Sequence, residues 1–288
     1  MVLKPSGSKL PSKPAMLFNG AAALILFAAG TVAVRTTFFV DDMPPCSQRY
    51  PQAQLMPLER DGRALRVSDL QAVLRNTDWG LLQNAQVVGL GSGPASYALE
   101  FKTVVARPTA GDPDRKPGVG FVWTPEAMPR TTAGCLAYSV FIPEGFEFGA
   151  GGRLPGLLGT RQNAVASADP SFSFRYVWSE DGALGLHTQM PEWAEGRPLT
   201  NNRGTLRLER NRWTALEQEI VLNTSGKADG AVRIWANGAL VFESTGLVIR
   251  RQDNVMISGV LAEMLARPLA RSVLKPASIQ LSPFEVRW

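Results

Sequence analysis

From about Gln86 onward, apolar positions alternate with polar ones, the period of a strand that lays one face on a core. The sharpest case is Phe172-Ser173-Phe174-Arg175-Tyr176-Val177-Trp178. Phe172, Phe174, Tyr176 and Trp178 share one side, which predicts a core face. Ser173, Arg175 and Val177 share the other. After a turn at Ser179-Glu180-Asp181-Gly182, Leu184, Leu186 and Thr188 alternate with Gly185, His187 and Gln189. Further strands are predicted at 97–105, 118–123, 136–142, 204–208, 213–222, 232–236, 239–242 and 278–288, the last interrupted at Pro283. Asn237-Gly238 predicts a two-residue hairpin. Residues 255–266 read as a strand running into a short helix. Ser68 with Gln71 reads as a capping box that opens a helix through Leu70, Val73 and Leu74. Gly89-Leu90-Gly91-Ser92-Gly93 has no following helix and reads as a turn. Roughly ten strands at this spacing predict an all-β sandwich of antiparallel sheets.

Parity also predicts a polar cluster. A register that sets Trp178 opposite Leu184 sets Arg175 opposite His187 and Ser173 opposite Gln189. Directly opposed residues point to one side. The glycine-rich stretch Gly151-Gly152-Arg153-Leu154-Pro155-Gly156 would bring Arg153 to the same place. Guanidinium and hydroxyl groups on one surface suit an anionic, hydroxyl-rich ligand. β-Elimination of a uronate polymer needs a cation to neutralise the sugar carboxylate, which Arg175 or Arg153 could supply. It also needs a base within hydrogen-bond reach, and neutral His187 could act as one, since imidazole titrates near pH ~6.5. Ser173 and Gln189 could orient sugar hydroxyls. Trp193, in a loop, is a candidate to stack on a sugar ring, whereas Trp178 belongs to the aromatic core row. The bland alternative is a solvated histidine and surface arginines on an ordinary strand.

Charge and composition place the domain. The formal net charge is +5, but Lys4, Lys9, Lys13 and Arg35 supply four of those charges with no acid before residue 36. The remainder is near neutral and shows no basic stripe interleaved with aromatics, so nucleic acid is not an expected partner. Residues 15–34 carry no charge and are long enough to span a bilayer. The expected organisation is a cytoplasmic basic segment (1–14), a transmembrane anchor (15–34), a linker (35–60) and one exported domain (61–288). A cleaved signal peptide is the alternative for 15–34. The domain would then lie on the periplasmic or extracellular side. Cys46 and Cys135 could pair there, or stay as buried thiols. One histidine and two cysteines fit no metal-ligand spacing, so no metal or cofactor is expected. Asn223-Thr224-Ser225 is a formal glycosylation sequon.

Several segments together resemble a known family. They are Cys135-Leu136-Ala137-Tyr138-Ser139-Val140, Pro143-Glu144-Gly145-Phe146-Glu147-Phe148, Gly151 to Gly156, and Phe172 to Trp178. Trp213, Val221-Leu222-Asn223, Asp229-Gly230 and Trp235-Ala236-Asn237-Gly238 continue the pattern. In order, over roughly residues 86 to 288, they are similar to family 14-type polysaccharide lyases, the alginate and glucuronan lyase relatives. The resemblance implies a β-jelly roll whose concave sheet forms a groove for an acidic polysaccharide. It places the family's glycine-turn lysine on Arg153 and its serine and arginine on Ser173 and Arg175. The family's two tyrosines, implied proton-transfer groups, fall on His187 and Gln189. Gln189 cannot transfer a proton and His187 can. Around Gly259 to Arg267 the family's aromatic, glycine-rich loop is replaced by Val260-Leu261-Ala262-Glu263-Met264-Leu265.

The expectation is therefore a membrane-anchored, exported lyase-like protein that cleaves a uronate-containing polysaccharide. The alternatives are a glycan-binding module without activity, or an accessory subunit of a membrane assembly.

Overall fold

The computed structural model describes residues 43–75, 77–102, 118–162, 164, 170–190, 197–198, 200–201, 204–267 and 277–288. The expected transmembrane segment 15–34 and Trp193 lie outside them. Among the described residues, no helix is long and apolar enough to cross a membrane.

Two antiparallel sheets dominate the unit that runs from Pro44 to Trp288. The first, nine-stranded, runs Ala239–Leu247, Gly230–Ala236, Arg212–Val221, Ala133–Ile142, Ser278–Leu281, Tyr97–Lys102, Ala85–Gly89. Glu285–Arg287 also pairs with Ala133–Ile142, and Ala53–Leu55 pairs with Glu285–Arg287. The second, six-stranded, runs Arg197–Pro198, Leu184–Gln189, Phe172–Trp178, Gly152–Arg161, Val255–Ala266, Val119–Trp123. One apolar core lies between them. Leu136, Val140, Ile220 and Ile234 come from the first sheet and Leu157, Phe172, Phe174 and Tyr176 from the second, all fully buried. Alternation thus selects the inner face of each sheet, as the sequence pattern predicts.

At the hairpin, Asn237 and Gly238 both take positive φ, 49° and 83°. Both central residues are left-handed, which suits the twist of the flanking strands.

Three expectations are corrected. Residues 255–266 form one strand, Val255–Ala266, with no helix. Leu, Ala, Glu and Met favour a helix there, but Val119–Trp123 and Gly152–Arg161 pair with the strand on either side, so the sheet captures its backbone groups. The helix near 68 begins at Val67, and its cap is Arg66 with Asp69 rather than Ser68 with Gln71. The Arg66 backbone N–H donates to the Asp69 carboxylate at 3.2 Å. The expected linker also belongs to the folded unit from Pro44 onward. Met56 and Leu58 enter the core, and Cys46 is bonded to Cys135.

That entry segment closes on the outer face of the nine-stranded sheet. Register lines up Cys135, Glu219, Arg233 and Glu243 in one cross-strand row. Glu219 accepts from Tyr50 Oη at 2.7 Å and pairs with Arg49 and Arg233, each at 2.9 Å. Glu217 accepts from the Ser47 backbone N–H and Oγ at 2.8 and 2.9 Å. Arg49 also lies over the buried Trp235 ring.

Asn223 of the sequon is fully buried. Its amide N–H groups reach the Thr224, Lys227 and Arg250 carbonyls, and its Oδ1 accepts from the Ile249 and Arg250 N–H groups. It fixes a corner of the fold and offers no surface amide.

Candidate functional site

The second sheet carries the predicted cluster on its outer face. The strand Phe172–Trp178 buries its four aromatic side chains, which leaves Ser173, Arg175 and Val177 on the other side. The turn that follows is locked by Asp181, whose Oδ1 accepts from Ser179 Oγ at 2.6 Å and from the Ala183 N–H at 3.1 Å. This Asx-type turn sets the register. Trp178 opposes Leu184, Arg175 opposes His187, and Ser173 opposes Gln189.

On the other flank lies Gly152–Arg161. Pro155 has no N–H to give, and both ladders slip around it. Leu154 opposes Tyr176 and Gly156 opposes Arg175, while against Val255–Ala266 the register shifts between Leu261 and Leu265. The bulge is held from inside by the facing sheet. Tyr138 Oη donates to the Pro155 carbonyl at 3.0 Å, and Gln218 Oε1 accepts from the Leu157 N–H at 2.8 Å. Both are buried hydrogen bonds in the core, and they satisfy groups that the bulge would strand.

Beside this bulge stands a residue that parity alone did not find. Arg153 Nη1 donates to both oxygens of Glu263, at 2.9 and 2.8 Å, and Arg175 Nη1 pairs with the same carboxylate. Arg175 is only 8% exposed in its side chain, Glu263 18% and Arg153 31%. One carboxylate therefore sits between the two guanidiniums expected to hold a sugar carboxylate. The signal available in the sequence was the single charge inside the apolar run 260–265, which strand parity separates from Val260, Ala262 and Met264.

The remaining predicted residues spread outward from this centre. Ser173 is fully buried, and its Oγ has no hydrogen-bond partner among the described residues. His187 is half-buried and Gln189 is exposed. Gln189 Nε2 reaches the Pro170 carbonyl only weakly, at 3.4 Å. Toward Val119–Trp123, the same face ends in an apolar cluster of Val122, Leu158 and Leu261 against Trp79. Toward the Ser179–Gly182 turn it opens into a depression of about 370 Å³, lined by Arg153, His187, Arg267, Ser179 and Glu180 among others.

Among the described residues, proton-transfer groups are few on this face. All four tyrosines lie elsewhere. Tyr138 and Tyr176 are in the core, where burial pushes both phenols well up. Tyr50 binds Glu219, and Tyr97 Oη donates to the Gly62 carbonyl at 2.7 Å. His187, the single histidine, lines the depression together with Glu180. Among the described residues, the cluster with metal-ligating atoms is Cys46, Cys135 and Glu217, but its sulfurs form the disulfide, so it is a cross-link rather than a cage.

The model for the polysaccharide lyase 14 family matches residues 105–265. Among solved structures, the fold is similar to a marine alginate lyase of that family from Aplysia kurodai. Identity is 23% and the TM-score 0.63, with 82% of this chain and 98% of that chain covered. Alginate lyase vAL-1 from Chlorella virus is similar at 17% identity and a TM-score of 0.61, covering 81% of this chain and 98% of that one. Alginate lyase Aly36B follows at 12% identity and a TM-score of 0.61, covering 83% and 98%. No curated protein sequence matches the chain.

Proposed function

The chain belongs to the polysaccharide lyase 14 family, and on that premise we propose that its domain cleaves a uronate-containing acidic polysaccharide by β-elimination. The observation that carries this reading is the opposition of His187 and Arg175 across one antiparallel pair, next to Arg153. A base and a carboxylate-neutralising cation on one strand pair are what the reaction requires. In this reading neutral His187 removes the proton beside the sugar carboxylate. The electron pair forms the carbon–carbon double bond as the glycosidic bond breaks. The departing oxygen takes a proton from the imidazolium or from water. Arg175 and Arg153, which also hold Glu263, oppose the charge that builds on the carboxylate. Structures of Aly36B variants hold alginate tri- and tetrasaccharide, which supports an acidic polysaccharide as the ligand class.

A second reading is a glycan-binding domain without turnover. It is favoured by the Glu263 carboxylate between the two arginines and by the lack of any tyrosine on this face. The uncharged run 15–34 and the Cys46–Cys135 bond both suit export with a membrane tether, where membrane partners would be within reach.

One experiment separates the two readings. The protein is incubated with alginate, glucuronan and other polyuronates, and near-ultraviolet absorbance of unsaturated ends is followed. Product that disappears in His187→Ala supports cleavage. Saturable binding with no product leaves the binding reading, and neither signal on any polyuronate overturns both.

A further inference from the structure

Glu263 changes which cation a sugar carboxylate can reach. Among the described residues, two guanidiniums share one carboxylate at the centre of the sheet face. A uronate approaching Arg175 must displace a side chain that is already half-buried and bonded on both oxygens.

The depression beside this triad offers another cation. Arg267 lines it with Arg153 and His187, and its side chain is exposed. Its position is nevertheless fixed by the backbone. The Arg267 N–H donates to the Gly151 carbonyl at 2.8 Å, and the Ala150 N–H donates to the Arg267 carbonyl at 2.8 Å. Gly151 has φ +96°, and a Cβ there would stand 3.4 Å from Arg267 Nη2 and only 2.3 Å from the Trp178 carbonyl oxygen. The turn is thus open beneath the guanidinium only because residue 151 is glycine. No carboxylate among the described residues forms an ion pair with Arg267. Glu180, the carboxylate on the lining, stands on the exposed turn.

We propose that Arg267 is the carboxylate anchor of a rim subsite for a uronate unit flanking the one that faces Arg175 and Arg153, and that Glu263 raises the weight of this rim contact by offsetting part of the charge on those two arginines. This rests on the acidic-polysaccharide reading above. A planar, always-charged guanidinium on a pinned backbone suits a carboxylate approaching from solvent. Val177 and Gly185 also line the depression that Arg267 and His187 share.

The test is calorimetric binding of an alginate tetrasaccharide, and of the same tetrasaccharide with its carboxyl groups reduced to alcohols, to the full-length protein. Arg267→Ala is expected to weaken the acidic ligand by about tenfold to a hundredfold. It should leave the reduced ligand unchanged, and Arg267→Lys should recover part of the loss. In a Glu263→Gln background, the penalty for Arg267→Ala should shrink, because Glu263 no longer offsets the charge on Arg175 and Arg153. An unchanged urea midpoint in Arg267→Ala shows that the variant is folded. Tetrasaccharide binding equal to wild type in Arg267→Ala overturns the rim subsite and leaves the polysaccharide reading standing. Equal losses for acidic and reduced ligands overturn the carboxylate role. Failure of the wild type to bind any acidic oligosaccharide overturns the subsite and the reading together.

Discussion

Arg153 grips Glu263 by both carboxylate oxygens, although 110 residues separate them in the chain. The contact exists because Val255–Ala266 inserts between Gly152–Arg161 and Val119–Trp123, and because the bulge at Pro155 re-aims the Arg153 side of its strand. Removing the carboxylate would leave two guanidiniums facing each other with little water between them. Glu263→Ala should therefore lower stability by about 2 kcal/mol, less than a fully buried pair because Arg153 remains partly solvated. A urea titration reads this as a lower midpoint at unchanged slope. A midpoint equal to wild type would mean that solvent already screens the two cations.

The bulge can be tested without touching the site. Tyr138→Phe deletes one buried oxygen and leaves the Pro155 carbonyl without its donor. A loss of about 1–2 kcal/mol is expected. A weaker affinity for acidic oligosaccharide should accompany it, since Arg153 rides on the same bulge. Stability lost with affinity intact would separate the bulge from ligand binding.

The outer-face cluster predicts a pH profile limited on both sides. Burial pushes the Glu219 carboxyl up, but hydrogen bonds from Arg49, Tyr50 and Arg233 outweigh it and hold it below its ordinary value. Its contribution is complete above the ordinary carboxylate range and is lost as pH falls through the lowered folded value. Burial, and then the bond to Glu219, push the Tyr50 phenol above its ordinary value of 10.0. That contribution is complete below the tyrosine range and is lost as pH rises past it. Thermal melts across pH should show Glu219→Gln flattening the acid limb. Tyr50→Phe should flatten the alkaline limb. Unchanged limbs in both variants would assign the pH dependence to other groups.

The disulfide closes a loop with a sequence separation of 89. Cys46→Ala with Cys135→Ala should cost about 2–4 kcal/mol, chiefly by freeing the unfolded chain. Chemical denaturation measures it. Because Cys135 lies on the outer face of the nine-stranded sheet and Cys46 in the turn that covers it, the double variant should still bind oligosaccharide at temperatures where it remains folded. Loss of binding in the folded variant would contradict that separation.

Much of the hairpin with Arg175 and His187 is legible in the sequence. Its parity is set by four consecutive alternate aromatics, and its register by a short turn whose Asp181 bonds are local. Local patterns of this kind survive in the sequence. Glu263 was not legible in the same way. Its neighbours depend on which distant strands flank Val255–Ala266, and residues 260–265 favour helix by propensity until the sheet captures them. The entry segment reads as linker in the sequence for a related reason. Its prolines and acids break periodicity, yet its burial comes from a cross-link and from charged partners on a sheet far along the chain. Trp193 and residues 15–34 fall outside the described residues.

The cross-link at Cys46 also has a mechanical meaning. It ties the start of the folded unit covalently to Ala133–Ile142, an interior strand of the nine-stranded sheet and not of the sheet that carries Arg175 and His187. Tension applied ahead of Pro44 passes first into that strand and its paired neighbours, and not directly into the hairpin bearing Arg175 and His187.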